Sequence, residues 1–357
     1  MKEQKDRAKA DAKAKKSGHT DLTEYKSIID KNGASKFIGY SQIKSEAKLT
    51  GILVDGKYSA EANTGSDVEI TLNQTPFYAE GGGQLSDGGF IKLSNGAVIE
   101  VEDVQTPVPG LIVHRGNLIS GSIKLGDEVL AEIDLERRMA ISRAHTATHM
   151  VHKAFREALG ETATQAGSEN SPGRFRFDFP ATSAVPASVM NEVENRVNEL
   201  LIADLEVQAE VMSQAQAKAM GAMALFGEKY GDEVRVVSVG DWAKELCGGT
   251  HVNRSGQLGV VKLLSESSIG AGVRRVEALV GHDAYKYLAR EHLLLNSLTE
   301  IVKGSKTEEL PERISDLLNR VKEIEKELAH VRSAQAMGEI STLAKSAKDI
   351  NGISTVT

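Results

Sequence analysis

Two short segments about a hundred residues apart carry metal-binding side chains, and the fold must join them if they form one site. His145 and His149 are four residues apart, so in a helix both imidazoles lie on one face and can bind one ion. Cys247 and His251 add a thiolate and a third imidazole on either side of a glycine pair that permits a tight turn. Three imidazoles and one thiolate suit tetrahedral zinc. The sequence therefore predicts a Zn²⁺ site.

Two roles of this zinc are compatible with the sequence. A structural site closes all four positions with protein ligands, whereas a catalytic site keeps one position open for water or substrate. The His-x-x-x-His segment is not the metalloprotease signature, because Thr146 stands where that motif needs a glutamate. The ligand types predict the metal, and the number of ligands bound at one time stays open.

The overall composition limits the compartment and the class of partner. A single cysteine excludes an intramolecular disulfide and indicates a reducing compartment, which predicts a cytoplasmic protein. No stretch approaches the roughly 20 apolar residues of a membrane span, so no membrane association is expected. The net charge of −7 argues against a general polyanion binder, and any nucleic-acid contact must come from local basic patches.

The first part of the chain predicts a charged lead-in followed by a β-barrel. Residues 1–45 contain a Lys/Glu/Asp/Ala-rich stretch and a short helix from Asp21 to Asn32. Residues 46–134 show short β-type runs separated by turns such as Asn95-Gly96, a spacing typical of a small antiparallel β-barrel. Within it, three glycines lie between Glu80 and Gln84 and indicate either a flexible hairpin or a backbone that closely approaches a ligand.

Residues 135–282 predict an α+β domain in which helices pack on an antiparallel sheet. A long helix from Leu135 to Leu159 carries the histidine pair, and a second amphipathic helix covers Asn191 to Asp204. Phenylalanines and charged residues alternate between Arg174 and Phe179, as in a half-buried strand. Further strands are expected at Val234–Val239, before the cysteine segment, and at Gly259–Leu264 after it.

Residues 283–344 predict an antiparallel helical hairpin. Apolar residues recur at spacings of three and four along a heptad seam consisting of Ile314, Leu317, Val321, Ile324, Leu328 and Val331. An intermolecular coiled coil is the alternative. Residues 345–357 end on a β-like run and are expected to be the stub of a further domain.

Taken together, these motifs resemble the alanyl-tRNA synthetase family, in particular its editing portion. The His-x-x-x-His helix, Gln165-Ala-Gly-Ser, Arg-Phe-Asp-Phe within 174–179 and Cys247-Gly-Gly-Thr-His follow one another in the family's order. The segment 75–84 resembles its Thr-Pro-Phe-Tyr-Ala-Glu-x-Gly-Gly-Gln motif, and 271–278 its Gly-Val-Arg-Arg-Ile-Glu-Ala strand. The resemblance extends from about Tyr25 to the helical hairpin.

The resemblance implies a function and a set of site residues. His145, His149, Cys247 and His251 match the family's zinc ligands, and Thr148 and Gln165 match positions associated with editing specificity. The implied reaction is hydrolysis of the ester in Ser-tRNA(Ala) and Gly-tRNA(Ala). A pocket that hydrogen-bonds the seryl hydroxyl discriminates against alanine, because alanine leaves its buried polar groups unpaired. This argument does not explain how glycine is removed.

The expected partner is the acceptor end of tRNA(Ala). The basic residues nearest in sequence to the site, and so the expected phosphate contacts, are Arg174, Arg176, Lys262, Arg274 and Arg275. Solvated or ion-paired surface charge is the alternative for each of them. The family's class II aminoacylation domain is expected to be absent, so the chain is interpreted as part of a synthetase or as a separately encoded editing protein. A zinc-stabilised tRNA-binding module without catalysis, and a homodimer in the full-length parent, also remain open.

Overall fold

A computed structural model describes residues 22–224, 231–303 and 306–355, so the charged stretch predicted at residues 1–18 lies outside the described residues. Two compact units divide the chain, Met1–Tyr285 and Lys286–Thr357. The first unit contains the barrel and the α+β domain, each with its own apolar core. Among the described residues, no helix is long and apolar enough to cross a membrane.

The predicted β-barrel is confirmed. Its strands are β1 Lys36–Phe37, β2 Lys44–Val54, β3 Lys57–Tyr58, β4 Glu61–Asn63, β5 Asp67–Leu72, β6 Gln74–Thr75, β7 Gly89–Leu93, β8 Val98–Val108, β9 Leu111–Ser120, β10 Ser122–Lys124 and β11 Glu128–Ile133. Six of them form an antiparallel ring in the order β2-β5-β9-β8-β7-β11, and β11 closes the ring by pairing with β2. Helix α1, Leu22–Asn32, packs on the barrel through buried Tyr25 and Ile28.

Turn chemistry fixes the register of the barrel strands. The Asn95 side chain accepts a hydrogen bond from the Ala97 amide at 2.9 Å, and Gly96 takes a φ of +86°, which a glycine adopts without strain. This turn joins β7 to β8, so Ile91 and Leu93 on alternate positions of β7 face the core.

The α+β domain is also confirmed. Its helices are α2 Leu135–Leu159, α3 Ala187–Ile202 and α4 Gln214–Ala219. Its strands are β12 Gly167–Ser171, β13 Arg174–Pro180, β14 Val207–Ser213, β15 Glu233–Val239, β16 Ala243–Leu246, β17 Val261–Gly270 and β18 Val273–Val280. The strands form two antiparallel sheets, β12-β13-β18-β17 and β14-β15-β16, and α2 and α3 pack on the first.

Helix α2 holds the histidine pair and starts and ends as predicted. Asp134 caps its N-terminus by accepting a hydrogen bond from the Arg137 amide at 3.0 Å. Its inner face packs on the core that Phe175, Phe177 and Phe179 form from alternate positions of β13.

The second unit contains most of the first predicted helix and all of the second. Helix α5 covers His282–Ile301, α6 covers Leu310–Lys345, and a short ribbon of β19 Lys348–Ile350 and β20 Ile353–Thr355 follows. The seam residues of α6 are exposed, from 39 % at Ile314 to 59 % at Val331. What covers this seam, in a hairpin or in an intermolecular coiled coil, stays a prediction.

Candidate metal centre

The fold brings the four predicted metal ligands together. Helix α2 supplies His145 and His149, and the turn after β16 supplies Cys247 and His251. Their ligand atoms all lie within 4.8 Å of one another. The Cys247 Sγ atom lies 3.4 Å from His145 Nε2 and 3.3 Å from His251 Nε2. Sulfur and nitrogen on one tetrahedral zinc are about 3.5 Å apart, given the usual bond lengths, so these distances fit that geometry.

Each imidazole has a protein partner on its Nδ1 atom, which leaves Nε2 for a metal. His145 Nδ1 lies 2.8 Å from Gln84 Oε1, and His251 Nδ1 lies 3.1 Å from Thr146 Oγ1. His149 Nδ1 pairs with the Glu245 carboxylate. His149 Nε2 is buried and has no hydrogen-bond partner among the described residues. Partners of this kind orient metal-binding histidines and fix their tautomer, so the donor set fits zinc.

Burial and charge set the protonation of the ligands. Burial alone would raise the pKa of Cys247, but the neighbouring imidazoles lower it well below its ordinary value, which favours the thiolate. Burial lowers the pKa of His251 to about 3, so its imidazole is neutral. Burial alone would also lower the pKa of His149, but the Glu245 carboxylate and Cys247 raise it to about 10. A metal must therefore displace a proton from His149.

The cysteine turn is tightly held, and its second glycine is required by space. A Cβ atom on Gly249 would lie 2.1 Å from His145 Cε1. Arg235 Nη1 donates to the carbonyls of Cys247 and Gly249 at 2.8 and 2.9 Å. The Tyr40 ring packs 4.2 Å from the Arg235 guanidinium, and its hydroxyl donates to the Gly248 carbonyl at 2.5 Å. These contacts fix the backbone that presents the thiolate.

The two residues matched to editing specificity flank one strand of the sheet. The buried Thr148 hydroxyl lies 2.6 Å from Asn170 Oδ1, at the inner side of β12. Gln165 is half-buried and donates from Nε2 to Ser168 Oγ at 3.1 Å. No hydrogen bond joins Thr148 to Gln165 in the part of the chain that the structure describes.

All five predicted phosphate contacts are paired with carboxylates, and all lie on the sheet that contains β12. The pairs are Arg174–Glu277, Arg176–Glu169, Lys262–Glu194, Arg274–Glu266 and Arg275–Asp178. The structure therefore shows the ion pairing that was the alternative stated from the sequence. Their role at phosphates stays a prediction.

Three buried polar residues of the site were missed by sequence reasoning. Glu245 contacts both His149 and His152, whose Nδ1 lies 3.0 Å from Glu245 Oε1. Asn170 is fully buried, and its Nδ2 has no partner among the described residues. The signal available for Glu245 was its place two residues before the cysteine in a strand. No local pattern marked Asn170 or His152.

Two family models match the chain. One described as "Threonyl and Alanyl tRNA synthetase second additional domain" matches residues 234–277, which include Cys247 and His251. One described as "tRNA synthetases class II (A)" matches residues 1–137, whose described part is α1 and the β-barrel. This match relates the barrel region to class II synthetases. It also goes against the expectation that the class II aminoacylation domain is absent from the chain.

Curated relatives match over the whole chain. The chain is 60 % identical to an alanine–tRNA ligase of Nocardioides sp., 57 % identical to that of Streptomyces avermitilis and 56 % identical to that of Acidothermus cellulolyticus. In each case it spans 40 % of the relative's length. On this identity and the two family matches, the chain belongs to the alanyl-tRNA synthetase family.

Proposed function

We propose that the four-residue centre binds zinc and hydrolyses the ester of tRNA(Ala) mischarged with serine or glycine. The observation that carries the proposal is the convergence of three imidazoles on one thiolate, with the Nε2 atoms of His145 and His251 3.4 and 3.3 Å from Cys247 Sγ. Each imidazole is held through Nδ1. When bound, zinc supplies a Lewis acid that can polarise a carbonyl or activate a water.

The surrounding side chains provide selection in this proposal. Thr148 Oγ1 also lies 3.0 Å from the Ala144 carbonyl, and the hydroxyl has one proton to share between that carbonyl and Asn170 Oδ1. A lone pair of Thr148 remains to accept a hydrogen bond from a seryl hydroxyl. Gln165, held by Ser168, supplies a second polar group. Alanine satisfies neither, so the pocket favours the seryl ester over the alanyl ester, whereas hydrolysis of the glycyl ester rests on the resemblance to the family alone.

Binding of the tRNA acceptor end by the basic residues of the sheet belongs to the same proposal. Each cation there already has a carboxylate partner, so phosphate must compete with an existing ion pair. We expect only a modest loss of affinity from a substitution at the more exposed pairs, such as Arg174–Glu277, since exposed pairs contribute little. A cytoplasmic location and a homodimer in the full-length parent remain predictions from the sequence.

The test is deacylation of tRNA(Ala) charged with serine, glycine or alanine. We expect serine-selective hydrolysis by the wild-type chain and its loss in Cys247→Ala, together with loss of bound zinc measured by atomic emission. Thr148→Val should reduce the preference for serine over alanine, whereas the matched control Thr64→Val, on an exposed barrel turn, should not. An unchanged preference in both Thr148→Val and Gln165→Ala would remove these two residues from the pocket.

A zinc-stabilised tRNA-binding module is the second candidate. It is favoured by the fact that all four ligand atoms converge, as in a closed structural site. In that case the folded, zinc-loaded chain binds tRNA(Ala) without hydrolysing its ester, and chelation lowers stability only.

A further inference from the structure

Gln84 lies at the end of the triple-glycine segment of the barrel, and its side chain reaches into the metal centre of the other domain. It is fully buried. Its Oε1 accepts the Thr250 amide at 2.8 Å, and its Nε2 donates to Thr250 Oγ1 at 2.9 Å. Because the backbone amide can only donate, these two bonds fix which end of the carboxamide carries oxygen.

The fixed oxygen faces a metal ligand. Gln84 Oε1 lies 2.8 Å from His145 Nδ1, and an amide oxygen can only accept. His145 must therefore carry its proton on Nδ1 in the neutral form. Its Nε2, 3.4 Å from Cys247 Sγ, then holds the lone pair that a metal needs.

The barrel presents Gln84 through a rigid connection. Gly81 and Gln84 exchange backbone hydrogen bonds of 3.1 and 3.0 Å across the turn. Gly83 has a φ of +79°, and a Cβ there would lie 2.4 Å from Ser168 Oγ. Asn170 of β12 then donates its amide to the Gly83 carbonyl at 2.6 Å. The backbone of the triple-glycine segment is thus held close to β12. Of the two alternatives left open by the sequence, the segment makes a close approach and is not a flexible hairpin, and the group that it approaches is another part of the protein.

We propose that Gln84 is a positioning residue that holds His145 in the Nδ1–H tautomer, so that the barrel completes the metal site of the neighbouring domain. The inference rests on the proposed function in one respect, because it requires that the four ligands bind a metal. It assigns no contact between Gln84 and the substrate.

The test uses the full chain loaded with Co²⁺, whose absorption reports thiolate and imidazole ligation. Gln84→Met keeps the size of the side chain and removes the acceptor, whereas Gln84→Glu keeps an acceptor. Gln74→Met is the matched control, because Gln74 lies on barrel strand β6 and its Nε2 bonds Ser45 Oγ and the Glu46 carbonyl. We expect Gln84→Met to lose Co²⁺ to a chelator about 10- to 100-fold faster than wild type. Gln84→Glu and Gln74→Met should stay close to wild type.

The outcomes separate the two proposals. Failure of the wild-type chain to take up one equivalent of Co²⁺ would defeat the proposed metal site itself. Stoichiometric uptake with equal loss rates in wild type and Gln84→Met would overturn the role of Gln84 alone. If Gln84→Met does not fold, ¹⁵N-histidine NMR of the metal-free wild-type chain decides, with His145 assigned by comparison with His145→Asn. Protonation of His145 at Nδ1 supports the inference, and neutral His145 protonated at Nε2 contradicts it.

Discussion

Arg138 of helix α2 should contribute more to stability than any exposed ion pair of the first unit. Its guanidinium pairs with both carboxylate oxygens of Asp87 and donates to the carbonyls of Gly39 and Pro76 at 2.7 and 2.8 Å. Arg138 is 5 % exposed and Asp87 is 0 % exposed. Arg138→Met would leave the carboxylate buried with the Tyr78 amide as its remaining partner. Breaking one side of a buried pair typically costs about 3–5 kcal/mol.

The assay is urea unfolding of the full chain, followed by far-UV circular dichroism and by the fluorescence of Trp242, the sole tryptophan. Arg254→Met is the matched control, because the Arg254–Asp204 pair is about half exposed and such pairs contribute little to stability. Adding Asp87→Leu to Arg138→Met should recover much of the loss, since no charge then remains buried alone. A loss in Arg138→Met no larger than that in Arg254→Met would refute the reasoning.

Three further predictions follow from the barrel and its contact with β12. Burial lowers the pKa of His114 to about 4, so between pH 6.5 and 4 only the unfolded state binds its proton, and stability is full above pH 6.5 and falls below it. The free energy of unfolding should fall by about 1.4 kcal/mol per pH unit across this window, a total of roughly 3 kcal/mol. Urea unfolding of His114→Gln at several pH values should lack this contribution to the pH dependence. Gly83→Ala should destabilise the chain by more than about 1 kcal/mol. Gly81→Ala should stay within about 0.5 kcal/mol, because a Cβ there makes only ordinary van der Waals contacts and the φ is not positive; equal losses on thermal unfolding would contradict this. Asn170→Val removes the hydrogen bond that orients the Thr148 hydroxyl, so it should lower the preference for serylated over alanylated tRNA. An unchanged ratio of the kcat/KM values for the two substrates would show that Thr148 does not need Asn170 as a partner.

The sequence predicted those parts of the fold whose signal is local. Helix α2 was predicted close to its observed bounds, Leu135–Leu159. The Asp134 cap and the end at Gly160 that the structure shows are local features, which is why a helix of this kind is recognisable. The alternation of Phe175, Phe177 and Phe179 predicted β13 for the same reason, since a period of two places all three on one face. The four candidate ligands were recognisable because chemistry restricts a zinc site to few residue types.

The groups that orient the ligands were not predictable in the same way. Gln84 lies 61 residues before His145, and Glu245 lies 96 residues after His149, so only the folded backbone brings these pairs together. The ion pairs of the basic residues have a similar origin. Arg275 faces Asp178 because β13 and β18 pair in register, a relation that no short window of sequence contains.

The contact between the triple-glycine segment and β12 also protects a sheet edge. Strand β12 is the outermost strand of its sheet, and such a strand presents unpaired amides and carbonyls that can recruit another chain. The Asn170 amide donates to the Gly83 carbonyl and the Asn170 carbonyl accepts from the Leu85 amide at 3.1 Å, so the barrel pairs with this edge at Asn170. Separating the two domains would therefore leave the backbone groups of Asn170 at this edge without their partners from the barrel.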